Sequence, residues 1–427
     1  MNCTFFWFRR DLRLHDNKAL FKALNSGKPV IPLFIFDTNI TNRLPKNDAR
    51  IGFIHQQLAE LDAQLKKAGS SLLIKKGNPI EIWETLTQEH KIEAVYCNKD
   101  YEPTAIERDF NVKKLLKEQN ISFYQEKDQV IFEESEVVKD DSKPYTVYTP
   151  YKNKWLKKLA VTNIEKFPSE ELTANFCKTT STFPSLEKLN FEKSSIQVKA
   201  PNFNFLNDYD SIRDFPFIDK TSYLSPHLRF GTFSIREILQ KAQATNAVFL
   251  SELIWREFFM QILFHFPRVA NENFKVKYNR IEWRNNEEEF KNWCNGTTGY
   301  PMVDAGMRQL NKTGYMHNRV RMITAGFLCK HLLIDWRWGE AYFAEKLLDY
   351  ELSSNNGNWQ WAAGTGCDSA PYFRVFNPSE QLKKFDKDLQ YIKKWITDFD
   401  ELSYPQPIVD HKTARLRAIE RYKTGLQ

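Results

Sequence analysis

The sequence predicts an α/β domain with a doubly wound parallel sheet, joined by a long linker to an all-α domain. Three observations lead there. Over residues 1–125, short apolar or β-branched runs alternate with helical patterns, which is how strand–helix–strand units and a parallel sheet read. Residues 126–204 are dominated by Lys, Glu, Ser and Thr without a clear period, as expected of a connector. From 205 to 427 apolar residues recur three or four apart, so that part reads as helices throughout.

The elements follow in order. Residues 4–8, 30–36, 72–75, 94–97 and 121–124 are apolar runs suited to strands buried on both faces. Between them Ile51, Ile54, Leu58, Leu61 and Leu65 keep helical spacing and Gly69 ends the helix, while Asn78-Pro79 opens another with a cap and a first-turn proline. Such sheets bind ligands beyond the strand ends, which suggests a nucleotide-like ligand. No GxGxxG and no GxxxxGK[ST] occurs, which excludes an ordinary dinucleotide site and a P-loop. In the linker, YTVYTPYKNKW is the one aromatic island. The helical half contains FLSELIWREFFMQILFHF, PMVDAGMRQLN, VRMITAGFLCKHLLIDW and GEAYFAEKLL.

Composition narrows the function. Of 427 residues 14% are aromatic, with 33 Phe, 17 Tyr and 11 Trp, more than packing alone recruits, and stacking surfaces for flat ligands or bases explain such an excess. A net charge of +7 fits a polyanionic partner and equally a solvated Lys-rich surface. Six cysteines lie far apart with no CxxC, so a zinc site, an iron–sulfur cluster or a redox dithiol is not expected and the metal expectation is none. The N-terminus turns charged after eight residues, too soon for a signal peptide, and no apolar stretch is long enough to span a membrane. A cytoplasmic protein is expected.

Three features of the helical half ask for more than packing. TSYLSPHLRFGTFS sets hydroxyls and amides ahead of a helix, as a phosphate cradle or a capping loop would. Arg321 and Asp349 are charges within apolar helices and each needs a partner, in a structural ion pair or in a site. NNGNWQWAAGTG, residues 355–366, sets two tryptophans among small polar residues and suggests a turn whose backbone comes close to a ligand.

WFRRDLRLHDN, SELIWREFF, TGYPMVDAGMRQLNKTGYMHNRVRM, NNGNWQWAAGTG and PYFRVFNP, in that order and spacing, resemble the photolyase/cryptochrome family of flavoproteins. The resemblance runs from residue 4 to about 422. It implies an antenna domain, a linker and a helical domain that holds FAD. It also implies FAD contacts at Tyr209, Thr221, Ser222, Leu224, Ser225, Arg256, Arg321, Asp349 and Glu351, with Asn355 facing flavin N5. Asn at that position, where plant-type cryptochromes resemble this chain but carry Asp, favours a reduced flavin and repair. Trp359, Trp336 and Trp283 match an electron-transfer chain. Trp255 and Trp361 match the pair that grips a flipped-out pyrimidine dimer, with Glu252 on the pyrimidine edge, Asn318 and Met322 lining the pocket and Arg213 on the phosphate.

Within the family the chain resembles most the class I cyclobutane pyrimidine dimer enzymes, on WQW and RVRMI, although LLDYELSSNNGNW has a DASH-like character. Tyr315 and Glu351 depart from the usual Trp and Asp beside the flavin. Arg50, Asp100 and Glu102 match a deazaflavin-binding pattern, so a deazaflavin or flavin antenna is expected ahead of methenyltetrahydrofolate, with an empty antenna site as the alternative. The resemblance thus implies light-driven repair of dimers in UV-damaged DNA by a monomeric, nucleoid-associated enzyme. The alternative is a blue-light cryptochrome receptor without repair activity.

Overall fold

Five strands form: the central three are largely apolar and buried, whereas the two edge strands, LIKKG and SFYQE, are half polar and more exposed, which corrects for them the expectation of burial on both faces. In the computed structural model, which describes residues 2–427, they are β1 (Asn2–Phe8), β2 (Val30–Asp37), β3 (Leu73–Gly77), β4 (Lys91–Asn98) and β5 (Ser122–Glu126). All pairings are parallel in the order β3-β2-β1-β4-β5, with Thr4 opposite both Val30 and Ala94. Strand alternation sends Phe6, Phe8, Phe34 and Phe36 to one face and Phe5, Trp7, Leu33 and Ile35 to the other. The crossover helices are α1 (Lys18–Leu24), α2 (Ala49–Lys67), α3 (Pro79–Glu89) and α4 (Pro103–Glu118). α1 and α2 cover the first face with Leu20, Leu58 and Leu61, and α3 and α4 cover the second with Trp83, Leu86, Val112 and Leu116. Each such side chain contributes on the order of 1.5–3 kcal/mol by leaving water.

The helix ends follow local chemistry. Asp48 accepts from the Arg50 amide at 2.9 Å to start α2, and Gly69, at φ +75°, lies just past its end. Asn78 accepts from the Ile80 amide at 2.9 Å with Pro79 in the first turn of α3.

The chain divides into two compact units. The first runs to Val137 and takes in Trp155–Pro201 and Tyr223–Ala244; the second comprises Val138–Lys154, Asn202–Ser222 and Thr245–Gln427. The polar stretch 126–204 is therefore shared between them. Its scattered apolar residues Phe176, Leu189 and Phe191 join the core of the sheet unit, and the Cys177 amide bonds to the Val30 carbonyl at 2.8 Å. Helix α5 (Tyr148–Leu159) lies in that stretch, followed by α6 (Ser225–Phe230) and α7 (Ile235–Thr245). α7 is tied to the sheet by buried charge: Arg236 pairs with Asp16 at 2.9 Å and with Asp128 at 2.8 Å, and Arg13 closes on Asp128 at 2.6 Å. Burial opposes ionisation of Asp128, yet the two guanidinium groups hold its carboxyl below the ordinary value.

The second unit is helical: α8 (Ala247–His265), α9 (Pro301–Thr313), α10 (Asn318–Gly326), α11 (Trp336–Lys346), α12 (Leu352–Ala363) and α13 (His411–Gly425) are its main elements. Its core gathers Trp293, Met302, Met307, Val320, Ile323, Phe327, Trp336, Phe343 and Trp359. Among the described residues no helix is long and apolar enough to cross a membrane, the six cysteines are free, and no group of three or more metal-binding side chains forms.

One close approach in the sheet unit is testable. Gly231 ends α6 at φ +64°, and a Cβ there would come within 2.0 Å of the Arg10 carbonyl oxygen. Gly231→Ala therefore adds a left-handed penalty of about 1–2 kcal/mol to a backbone clash, for an expected loss of about 2–4 kcal/mol in urea unfolding. A loss below about 1 kcal/mol would mean that this turn shifts freely.

Candidate active site

α8 carries Glu252, Trp255 and Arg256, and α12 carries Asn355, Trp359 and Trp361. Asn246 caps α8 by accepting from the Val248 and Phe249 amides at 2.9 and 3.1 Å. Ser251, Trp255 and Phe259 then fall on one stripe, four residues apart, with Glu252 and Arg256 on the next. α12 ends at Gly364, at φ +85°, and carries Asn355, Gly357, Trp359 and Trp361. The expectation of a turn at NNGNWQWAAGTG is corrected: the segment is helical through Ala363. Ser, Asn and Gly are weak helix formers, and packing of the buried face overrides them.

Gly357 shows why the segment is glycine-bearing. A Cβ there would sit 2.1 Å from the Phe259 ring, so the missing side chain lets α8 and α12 touch, ring against backbone. The close approach expected toward a ligand is thus made, at Gly357, toward a neighbouring helix. A helix also separates residues i and i+2 by roughly 200°. Trp359 accordingly is 2% exposed inside the core, and Trp361 is half-buried on the other side.

Trp255, also half-buried, lies flat against Tyr148, with ring centroids 3.5 Å apart and planes 7° from parallel. Glu252 beside it accepts from Arg213 at 2.6 Å. Burial works against the Arg213 charge, but the neighbouring Glu252 carboxylate outweighs it and holds the guanidinium above its ordinary value. The Arg213 guanidinium in turn lies over the Tyr209 ring at 5.5 Å. On α10, Asn318 reaches the Met322 sulfur at 4.0 Å, and His317, whose ring accepts from the Arg319 amide, caps the helix. Burial pushes the His317 imidazole down to about 4.

Arg321 and Asp349 do pair, at 2.9 Å, and Arg321 also donates to the Met316 carbonyl at 2.8 Å. Arg256 approaches Glu351, the residue that precedes α12, at 3.6 Å. Asn355 gives its amide nitrogen to Glu340, at 2.8 Å to the carboxylate and 3.1 Å to the main-chain carbonyl. Burial raises the Glu340 carboxyl, against the lowering effect of that hydrogen bond. With both amide hydrogens committed, Asn355 has its carbonyl oxygen left to offer, an acceptor. The Ser353 hydroxyl, on the buried face of α12 with Asn356 and Gln360, has no hydrogen-bond partner among the described residues. Lys330, 2% exposed, donates to the Ala363 carbonyl at 2.7 Å and the Tyr372 carbonyl at 3.2 Å, which fixes the end of α12. Burial pulls its ammonium down to about 7.

The remaining candidates are spread more widely. Trp336 and Trp359 share one buried cluster, Trp336 donates to Asn273 at 2.8 Å, and half-buried Trp283 packs against the same cluster. Tyr209, Thr221 and Ser222 lie in the second unit, whereas Leu224 and Ser225, at the start of α6, lie in the first. Asp100 and Glu102 in the first unit converge on Arg10 at 3.0 and 3.2 Å, beyond the carboxyl ends of β1 and β4, where strand order reverses. Arg50 pairs with Asp48 at the start of α2. Sequence reasoning missed Tyr148, Glu340 and Phe259. The aromatic island was a signal for the first; nothing in the pattern marked the other two.

Known proteins resemble the chain over its whole length. Residues 4–171 match the DNA photolyase family model, and residues 249–403 match the model for the FAD binding domain of DNA photolyase. The deoxyribodipyrimidine photo-lyase of Agrobacterium fabrum is 36% identical, over 97% of this chain and 96% of that one. A class III photolyase from Agrobacterium tumefaciens superimposes with a TM-score of 0.87 at 33% identity, covering 100% of this chain and 98% of its own. An archaeal photolyase from Sulfolobus tokodaii, whose structure holds two FAD molecules, gives 0.86 at 36% identity, with coverage of 99% and 100%.

The Phe259–Gly357 contact predicts a specific failure. Gly357→Ala improves helix propensity by up to about 1 kcal/mol yet forces the two helices apart, and overpacking of this kind costs about 1–3 kcal/mol. We expect a lower melting temperature together with a changed Trp255 environment in near-UV circular dichroism. A Gly357→Ala protein with unchanged stability would show that the contact is not tight.

Proposed function

This chain belongs to the DNA photolyase family, and from that premise we propose that it uses light to repair cyclobutane pyrimidine dimers in DNA. The observation that carries the reading is the pair of half-buried indoles, Trp255 and Trp361, on two helices locked by Phe259 against Gly357, with Glu252 on the first helix and Asn355 on the second.

The polar groups on α10 to α12 fit a flavin. An isoalloxazine edge presents two carbonyl oxygens and an N–H, and the reduced ring adds a second N–H at N5. Arg321 supplies a donor, Asp349 an acceptor and Asn355 a carbonyl oxygen suited to N5–H. Tyr209, Thr221, Ser222, Arg256 and Glu351 are the further contacts we assign to FAD. When bound in its reduced form and excited by light, FAD supplies the electron that opens the cyclobutane ring and receives it back, so the repair involves no net oxidation.

The chain's residues do the rest. A net charge of +7 favours the phosphate backbone and makes binding salt-dependent. Chemistry on a stacked base requires extrusion, and indole walls at Trp255 and Trp361 offset the lost stacking by roughly 1–3 kcal/mol per base. Arg213 and Glu252 are held together at the same place; a bound dimer would exchange that pair for a phosphate on Arg213 and a pyrimidine edge on Glu252. Asn318 and Met322 would line the pocket. Trp359, Trp336 and Trp283 are proposed as a relay of oxidisable indoles, supported by the burial of the first two in one cluster and the packing of the third against it. We take the enzyme to act as a monomer on chromosomal DNA in the cytoplasm.

Purified holoprotein should split a dimer in an oligonucleotide under blue light and not in the dark. Trp361→Ala should lose at least about tenfold in dimer affinity, in line with one stacked base. Absence of light-dependent repair would overturn the reading in favour of a receptor; normal repair by Trp361→Ala would remove the pocket assignment alone.

For the antenna we propose a second flavin or a deazaflavin in the first unit, near the Arg10, Asp100 and Glu102 cluster. The two FAD molecules in the Sulfolobus tokodaii photolyase support it. Burial acts against the Asp100 charge, but Arg10 and Arg229 hold its carboxyl well below the usual carboxylate range, so it stays an acceptor at neutral pH. The absorption spectrum of pigment released by denaturation should contain more than one flavin equivalent per chain, or a deazaflavin band; a single FAD per chain and nothing else would refute the second chromophore.

A further inference from the structure

The aromatic island at residues 145–155 has no part in the reading so far, yet Tyr148 lies against the residue on which that reading depends. Two flat rings at 3.5 Å and 7° are in full face contact, closer and more parallel than the 4.5–7 Å usual for aromatic pairs. Trp255 alone would have freedom about its side-chain torsions on the partly exposed side of α8. Tyr148 removes it, because Tyr148 is itself fixed at several points. Its hydroxyl lies 2.8 Å from the Ser251 carbonyl, to which it donates, and 2.6 Å from the Ser251 hydroxyl, one helical turn before Trp255. Its amide donates to the Asp368 carboxylate at 2.9 Å, and its ring meets Phe258 edge-on at 5.8 Å. One turn further along α5, Lys152 also reaches the Ser251 hydroxyl, at 3.3 Å. Burial raises the phenol above its ordinary value, so it remains a donor through neutral pH.

The second tie links Tyr148 to the chain beyond the other wall of the pocket. Asp368 belongs to the loop that follows α12, the helix of Trp361, and its neighbour Ser369 accepts from Lys275 at 3.0 Å. One residue thus stacks on Trp255 and anchors the chain that leaves the Trp361 helix. On the flank toward α12, Trp255 meets Phe259 at 5.5 Å, and Phe259 rests on Gly357. Contacts thus run from Tyr148 through Trp255 and Phe259 to Gly357, from the connector to α12.

We propose that Tyr148 is a positioning residue that fixes the plane of the Trp255 indole, and with it one wall of the lesion pocket, for gripping a flipped pyrimidine. The inference rests on the base-pocket reading of Trp255 and Trp361 given above. It assigns a role in substrate recognition to a segment outside the helical domain expected from sequence. Tyr148 touches the substrate only through Trp255, so its removal affects dimer binding and leaves the attraction to undamaged DNA in place.

The test uses FAD-loaded protein in the dark and measures affinity for a dimer-containing oligonucleotide and for the undamaged one. Tyr148→Ala should weaken dimer binding by at least about fivefold, the size expected of a lost aromatic pair, with undamaged-DNA affinity and the flavin spectrum unchanged. Tyr148→Phe, which keeps the ring, should recover most of the affinity. In a Trp255→Ala background, Tyr148→Ala should add little, because its route is gone. Should the alanine variant not fold, Tyr148→Leu fills the volume without a π face and must show the same selective loss. Unchanged dimer affinity, an equal loss for both DNAs, or a full additive loss on top of Trp255→Ala would each overturn the proposal. Normal dimer binding by Trp255→Ala alone would instead bring down the pocket reading, a distinguishable failure.

Discussion

The helical unit depends on one steric constraint: α8 and α12 can meet only because residue 357 has no side chain where the Phe259 ring lies. Everything of chemical interest on those helices is registered by that contact. It fixes Trp255 and Glu252 relative to Asn355, Trp359 and Trp361 by apolar contact. Interdigitated apolar contact is stiff, since close-packed interiors relax little. A site that must hold two indoles at a set separation gains more from such a contact than from an ion pair, whose geometry is softer and whose desolvation cost is higher.

Charge is used differently in the two units. In the sheet unit Arg13, Arg236, Asp16 and Asp128 are buried and paired among themselves, tying a late segment of the chain to an early one. In the helical unit two pairs are more open: Arg213 and Glu252 are 25% and 32% exposed, and Arg321 is 28% exposed against 8% for Asp349. A pair that is accessible on one side can be exchanged for a ligand at modest cost, whereas breaking a buried pair costs about 3–5 kcal/mol. On this ground Arg213–Glu252 and Arg321–Asp349 are pairs more readily given up to a ligand than the Arg13, Arg236, Asp16 and Asp128 set.

The strands were legible from short apolar or β-branched runs, nearly continuous in β1 and β2 and reduced to a few residues in β3 and β5, and the α3 start because Asn78-Pro79 is a local signal that tertiary packing had no reason to override. The helical half was legible from its period. What stayed hidden was contact across space. Gly357 read as clearance for a ligand because the sequence does not show that Phe259 occupies the gap. α12 read as a turn because Ser353, Ser354, Asn355, Asn356 and Gly357 are poor helix formers whose helicity comes from burial of Ser353, Asn356, Trp359 and Gln360 on one face. Residues 126–204 read as a connector by average composition, although the aromatic and aliphatic residues that anchor it are too widely spaced to create a period. Of the site, residue types could be singled out, but the commitment of the Asn355 nitrogen to Glu340 and the stack of Tyr148 on Trp255 arise from the fold.

The helical state of α12 sharpens what one short stretch can do. In a turn, the directions of Trp359 and Trp361 would depend on loop conformation and could drift. On a helix, the roughly 200° between i and i+2 is set by the backbone hydrogen bonds themselves. One indole is thereby committed to the core cluster with Trp336, the other to the half-buried side. Asn355 lies one turn before Trp359, on a face where its amide is already held by Glu340. Lys330 then fixes the helix end through the Ala363 carbonyl, so that a shift of α12 along its axis would break a buried cation's bond and drive the Phe259 ring into a side chain. One restraint acts at the middle of α12 and the other at its end. Between them, the tryptophans have no freedom left to exchange roles.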